Sequence, residues 1–221
     1  MINKNVKYFE NREDAAEKLR DVLPHDKMKS EKWELIAISS GGLDLASHLL
    51  NRYKLPLGFL LTAPIKAPNN SECEIARVSE SEEIVIDESL VRAFEIQYDY
   101  IYGEATRQHE EKILSDIYKY RHGAPFKNME NKTVLLIDEG SENGLKLMCA
   151  IKTILTMNPS AVYVAVPVLP KDVLEVLEPL VDSVFYIQEV GDFVTTSHYY
   201  KNLEKIDTTK ITKILGDIDE L

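Results

Sequence analysis

Lys132 to Ile151 read KTVLLIDEGSENGLKLMCAI, and this stretch narrows the fold more than any other. Val134, Leu135, Leu136 and Ile137 form an unbroken apolar run, the pattern of a strand covered on both faces. Two carboxylates, Asp138 and Glu139, stand at its carboxyl end. A short polar loop follows, and a helical pattern runs over 144–157. A buried strand that passes through a short loop into a helix is half of a crossover unit, and crossovers join parallel strands.

The same alternation recurs on both sides. WELIAISS (33–40) predicts a strand broken by Gly41 and Gly42, LDLASHLLNRYK (43–54) a helix, and PLGFLLTAP (56–64) the next strand. AVYVAVPVL (161–169) predicts a strand, KDVLEVLEPLV (171–181) a helix, and SVFYIQEV (183–190) a strand. Near the start, Asn11 and Asp14 resemble a capping box before Ala15, Ala16, Leu19, Val22 and Leu23, and Pro24 closes that helix. The 74–94 region differs. Two short strands, Ile75–Val78 and Ile84–Ile86, lie across a polar turn and predict a hairpin. A long helix follows over 89–120, with an interruption placed at Gly103. Tyr98, Tyr102, Ala105, His109, Ile113, Ile117 and Tyr120 form its core-facing stripe, and Gly123 and Pro125 end it. The tail from Gly191 is polar and partly helical. The expectation is a single α/β domain over 1–221: a doubly wound parallel sheet with an appended β-hairpin and a long helix at 74–123. Ligands bind such sheets at the carboxyl ends of the strands.

Composition narrows the partners. The formal net charge is -11, which repels nucleic-acid phosphates and anionic membrane surfaces alike. The expectation is therefore no nucleic acid and no membrane. Cys73 and Cys149 do not have metal-ligand spacing and read as reduced thiols. His25, His48, His109, His122 and His198 are scattered, so no metal site held by protein residues is expected. The N-terminal stretch has no apolar signal core, and no run approaches the roughly 18 apolar residues of a membrane span. A cytoplasmic location is expected.

Three segments leave the carboxyl ends of predicted strands. The first, Ser39 to Gly42, has two glycines that let a ligand approach the backbone before a helix N-terminus. The second, Thr62 to Glu72, is long and polar and carries Lys66. The third runs from Asp138 to Lys146. Its acids suit ribose hydroxyls, and Gly140, Asn143 and Gly144 suit a tight loop whose N–H groups wrap a phosphate. Taken singly, each has a plain structural role: a turn, a surface lysine, or carboxylates at a helix N-terminus.

In this order the segments resemble the phosphoribosyltransferase family, in particular its stand-alone bacterial branch, from about Phe9 to Leu203. Ser40-Gly41-Gly42 matches an Arg-Gly-Gly loop. Lys66-Ala67-Pro68-Asn69-Asn70-Ser71-Glu72 matches part of a Gly-Ala-Pro-Gly-Asn-Pro-Glu run, with Ala63-Pro64 in place of its basic pair. YRHG (120–123) matches a Tyr-Arg-Gly-Gly helix end. Val134 to Glu139 matches the signature strand and acids, and Gly140-Ser141-Glu142-Asn143-Gly144-Leu145-Lys146 stands for a loop ending Thr-Gly-x-Thr. The resemblance implies that Asp138 and Glu139 are the catalytic pair, holding the ribose of phosphoribosyl pyrophosphate with one of them accepting a proton from an incoming nucleobase, and that residues 140–146 hold its 5-phosphate. Ser40, Gly41 and Gly42 would hold the pyrophosphate, with magnesium brought by that pyrophosphate.

The chain also departs from that pattern. The pyrophosphate arginine is Ser40, and the loop threonines are Asn143 and Lys146. Glu142 places a carboxylate in the phosphate loop, which repels a phosphate unless it points away. Two functions follow. One is a divergent phosphoribosyltransferase using magnesium. The other is a catalytically silent protein on the same scaffold that binds a nucleotide or another phosphorylated metabolite in a regulatory role. A phospho-acceptor receiver domain is set aside, because VAVPVLPK has no aspartate at the tip of the next strand. The long helix suits either its own sheet or a partner copy's, so a homodimer is one expected arrangement.

Overall fold

A computed structural model describes residues 6–50 and 54–219. Its centre is a five-stranded parallel sheet in the order β2-β1-β6-β7-β8, where β1 is Glu34–Ala37, β2 Leu57–Phe59, β6 Thr133–Ile137, β7 Ala161–Pro170 and β8 Ser183–Val190. The fold is the doubly wound α/β class that the alternating pattern implies. Successive side chains leave opposite faces of a strand, so apolar residues on both parities build two cores. Leu35, Ala37, Leu135 and Ile137 join one core with α1 (Arg12–Arg20) and α3 (Ser40–Leu50). Ile36, Ile38, Val134 and Leu136 join the other with α7 (Leu145–Leu155) and α8 (Lys171–Leu177).

The N-terminal cap is as the sequence implies: the Asn11 side chain accepts from the Asp14 N–H at 2.9 Å, and Asp14 accepts from the Glu10 N–H at 2.9 Å. A short helix, α2 (His25–Ser30), follows Pro24 without having been expected. The end of the expected 43–54 helix lies outside the described residues at 51–53.

Two boundaries differ from the sequence reading. The expected strand over 56–64 is two strands. β2 stays in the parallel sheet, while β3 (Thr62–Ala67) pairs antiparallel with β4 (Asn70–Ser79). With β5 (Ile84–Ile86) they form a three-stranded antiparallel sheet, so the expected hairpin gains a third strand and the expected 62–72 loop disappears into it. Alternation is the reason: Ala63, Ile65 and Ala67 are buried while Thr62, Pro64 and Lys66 are only half-buried.

The long helix is α4 (Glu88–Ala93), α5 (Tyr98–Gln108), a π-helical turn (His109–Ile113) and α6 (Leu114–Arg121). Gly103 does not interrupt it. The break falls at Glu95, whose φ of 53° is left-handed, and His122 (φ 52°) and Gly123 (φ 85°) end the last segment. The π turn lets Ile113 stay in the core with Ile101 and Ala105. The last helix, α9 (Thr208–Asp219), lies on α3 and is tied to it by Lys210 and Asp44 at 2.8 Å.

Candidate functional site

In the strand order, β1 connects to β2 on one side while β6 leads to β7 on the other. The crevice at such a switch point is where open α/β sheets hold ligands. Ser39 and Ser40 stand at the end of β1, and Asp138 and Glu139 stand beside them at the end of β6.

Asp138 is fully buried and fully engaged. One carboxylate oxygen accepts from the Ser39 hydroxyl at 2.5 Å and the Glu139 N–H at 2.9 Å. The other pairs with Lys146 Nζ at 2.8 Å. Glu139 turns the other way and meets Arg12 Nε at 2.5 Å, a partner reached across 127 positions of chain. Arg12 is itself buried, bonds the Glu204 carbonyl at 2.8 Å and lies 3.7 Å from Asp44. Burial pushes the Glu139 carboxyl above its usual value and the Asp138 charge pushes it further; Arg12 offsets only part of this. The Tyr200 hydroxyl donates to the Glu139 carbonyl at 2.6 Å, and burial holds that phenol well above its ordinary value.

The first segment is not a loop. Ser40 opens α3, and Gly41 and Gly42 lie buried in its first turn. Glycine is required there by close approach. A Cβ on Gly41 would fall 2.0 Å from Glu139 Oε2, and one on Gly42 would fall 2.6 Å from the Ile137 carbonyl. The Glu139 carboxylate therefore lies across Gly41. Ser39 caps the helix, accepting from the Gly42 N–H at 2.9 Å.

The third segment holds itself together. Ser141 Oγ accepts from the Gly144 N–H at 3.2 Å and Asn143 Oδ1 from the Leu145 N–H at 3.1 Å. Gly144 has φ 74° at the start of α7, a conformation that disfavours a side chain. Glu142 points away from the loop and accepts from the Thr196 N–H at 3.2 Å. Thr196 also covers Gly140, its Cγ2 lying 2.5 Å from where a Cβ would be. The carboxylate that would repel a phosphate is thus turned toward a short 3-10 helix (Thr196–Tyr199).

Beside Ser39 and Ser40 a cleft of about 420 Å³ opens over the ends of β1 and β2. Arg77, Lys112, Lys146 and Lys205 line it, from β4, the π turn, α7 and the segment before α9, together with Asp116 and Asp207. Sequence reading singled out only Lys146 of these cations. Arg77 had a signal: it is a charge inside a strand whose neighbours Ala76 and Val78 are buried. It is held by Glu74 at 2.7 Å and donates to Thr62 Oγ1 at 2.9 Å. Lys66 is not among the residues that line this cleft; it sits on β3, where its carbonyl accepts from the Tyr100 hydroxyl at 2.9 Å.

No family model matches the chain. Two Mycobacterium tuberculosis proteins, from strains CDC 1551 / Oshkosh and H37Rv, carry the provisional name phosphoribosyl transferase. They are 19% identical to it over 214 residues, 95% of this chain and 47% of theirs. The chain resembles the phosphoribosyltransferases. It spans about half the length of these curated relatives. The crystal structure of TT1426 from Thermus thermophilus overlays with a TM-score of 0.76 at 24% identity, covering 95% of this chain and 98% of that one, so the two share a fold. A hypoxanthine phosphoribosyltransferase from Staphylococcus aureus overlays more loosely, with a TM-score of 0.48 at 13% identity over 86% of this chain and 78% of that one. In the fold shared with TT1426 the paired acids and the first turn of α3 face one another, and both acids are held by the chain's own ion pairs.

Proposed function

We propose that the protein binds phosphoribosyl pyrophosphate, or a nucleotide of similar charge, at the carboxyl ends of β1, β2 and β6. The observation that carries this is the cleft. A chain of net charge -11 brings four cations from β4, the π turn, α7 and the segment before α9 around about 420 Å³, with Asp116 and Asp207 beside them. Arg77, Lys112 and Lys146 are paired with Glu74, Asp116 and Asp138, and a polyanion would compete for those pairs. Such convergence favours a polyanion, because each charge-assisted contact in a partly dry site is worth about 1.5–3 kcal/mol.

In this reading the pyrophosphate lies among Arg77, Lys112, Lys146 and Lys205, next to Ser40, Gly41 and Gly42. These cations take over the role of the arginine replaced by Ser40. The ribose hydroxyls replace Lys146 on Asp138 and Arg12 on Glu139 as the ligand's phosphates draw those cations away. The 5-phosphate faces residues 140–146, with Glu142 held aside by Thr196. Among the described residues no group of three His, Cys, Asp or Glu is placed to hold a metal, and both acids already have cationic partners. The protein's own residues therefore do not fit a magnesium ion; magnesium would arrive on the ligand's pyrophosphate. In transfer, the C1–O bond breaks as a bond from C1 to a nucleobase nitrogen forms. The pyrophosphate leaves with the C1–O electron pair, the four cations absorb its growing charge, and the nitrogen's proton passes to one of the two acids or to water.

A second reading, binding without transfer, is favoured by the ion pairs of Glu139 with Arg12 and of Asp138 with Lys146. Calorimetry with phosphoribosyl pyrophosphate and magnesium tests both. Micromolar binding that is abolished by Asp138→Asn/Glu139→Gln supports the site, and release of pyrophosphate with a nucleobase then selects the enzyme. Folded protein that gives no heat at millimolar ligand refutes both.

A further inference from the structure

A second cavity, about 500 Å³, lies at the outer edge of the parallel sheet against β2. Its size is that of a small-molecule pocket. Ile36, Leu57, Phe59, Tyr120, Phe126 and Met129 make an apolar, largely aromatic wall, and Thr212 and Leu215 of α9 stand at its margin. Phe59 and Tyr120, with ring centroids 5.9 Å apart, also line the cationic cleft, so one aromatic pair stands between the two spaces.

The polar groups of this wall are unequally satisfied. Lys127 is taken by Glu34 at 3.0 Å, and Lys119 donates to Thr208 Oγ1 at 2.7 Å. Arg121 is different. Its Nη2 meets the buried Glu80 carboxylate and its guanidinium lies 5.7 Å from the Phe126 ring centre. Its Nε and Nη1 are buried with no hydrogen-bond partner among the described residues. Buried donors are almost always paired, and Nε and Nη1 each leave a single charge-assisted contact open, since both bidentate edges of a guanidinium use the Nη2 that Glu80 holds.

We propose that this cavity binds a small flat aromatic carboxylate, its ring between Phe59, Tyr120 and Phe126 and its carboxylate taking the Nη1–H of Arg121 after a shift of the Phe126 ring. Charge leans toward an anion: Arg121 is paired with Glu80 and Lys127 with Glu34, while Lys119 meets the Thr208 hydroxyl and has no carboxylate partner among the described residues. The proposal does not rest on the phosphoribosyl reading.

The probe is 2-naphthoate, followed by calorimetry and by ligand-observed magnetic resonance, with 2-naphthamide as its neutral counterpart. Saturable binding of the acid is expected, at least about tenfold tighter than the amide, because the charge-assisted contacts exist only for the acid. Thr212→Trp fills the mouth from an exposed position of α9, so it tests the site without removing the Arg121–Glu80 pair. It should weaken naphthoate binding at least about tenfold and leave the response to phosphoribosyl pyrophosphate unchanged. Equal binding of acid and amide, unchanged binding by a folded Thr212→Trp protein, or no saturable binding at millimolar naphthoate would each overturn the proposal. So would a dimer, detected by light scattering, whose formation excludes naphthoate and gives the cavity to a second copy.

Discussion

Replacing Lys146 by Met should destabilise the protein and should do so through Asp138. The pair is 2.8 Å long; the Asp138 side chain is 1% exposed and that of Lys146 is 29%. Removing one partner of a fully buried pair costs about 3–5 kcal/mol, because the other charge stays buried. Two features lower this figure. Lys146 is partly solvated, and Asp138 keeps the Ser39 hydroxyl and the Glu139 N–H. About 1–3 kcal/mol remains, worth roughly 2–4 °C of Tm per kcal/mol in a chain of this size. Urea unfolding of the wild type, Lys146→Met, Asp138→Asn and the double variant closes the cycle. The expected coupling is about 1–2 kcal/mol, with Lys146→Met nearly harmless once Asp138 is neutral. Additive effects would show that the lysine is a cleft cation with no structural debt to Asp138.

In melting experiments Gly42→Ala should cost about 1–3 kcal/mol, because the new methyl meets the Ile137 carbonyl, and Gly41→Ala should cost a similar amount, because its methyl pushes the Glu139 carboxylate off Arg12. The raised Glu139 pKa carries a sign: the folded state holds its proton longer than the unfolded state, so stability falls as pH rises from about 4.5 through the raised value. Glu139→Gln lacks this term, so its melting temperature relative to wild type should climb across that window. Burial pushes the Cys149 thiol up to about 12, and Cys73 is less buried. A thiol reagent at pH 8 should therefore label one cysteine in the folded protein and two in urea.

Sequence pattern was most informative where periodicity was long and two-sided. The β6–α7 crossover could be read because its apolar residues have a single buried arrangement, and the β8 limits because an apolar run there is bounded by polar residues, although the strand itself is mostly half-buried. The 56–67 region was misleading because Leu57 to Leu61 and Ala63 to Ala67 are both strand-like, and nothing local marks the change of sheet between them. The glycines at 41 and 42 read as a break, yet they sit in a helix. Their cause is Glu139 and the Ile137 carbonyl, about a hundred residues away in the chain. The acids at 138 and 139 could be found from their place after a buried strand. The Glu139 partners Arg12 and Tyr200 could not, since long-range ion pairs and hydroxyl contacts leave no spacing in the sequence. Glu142 shows the same limit: only the fold turns it to Thr196.

Two ligands separate the roles of Glu139. Its carboxylate lies over Gly41 and neutralises Arg12 at the edge of the proposed pyrophosphate position. Inorganic pyrophosphate has no ribose hydroxyls, so for this ligand Glu139 is only a repelling charge and a competitor for Arg12. Glu139→Gln should tighten pyrophosphate binding by about five- to tenfold, equal to about 1–1.4 kcal/mol for one charge removed at close range in a partly solvated site. Phosphoribosyl pyrophosphate offers hydroxyls that a carboxylate accepts strongly and an amide less so, and the same variant should bind it no better, or more weakly. Opposite responses in paired titrations would assign Glu139 to the ribose. A variant that improves both ligands equally would make Glu139 a plain obstacle, with Arg12 the residue that ligand binding has to release. If neither affinity changes, the polyanion does not sit beside α3, and the cleft lined by Arg77 and Lys205 has to be assigned to another ligand.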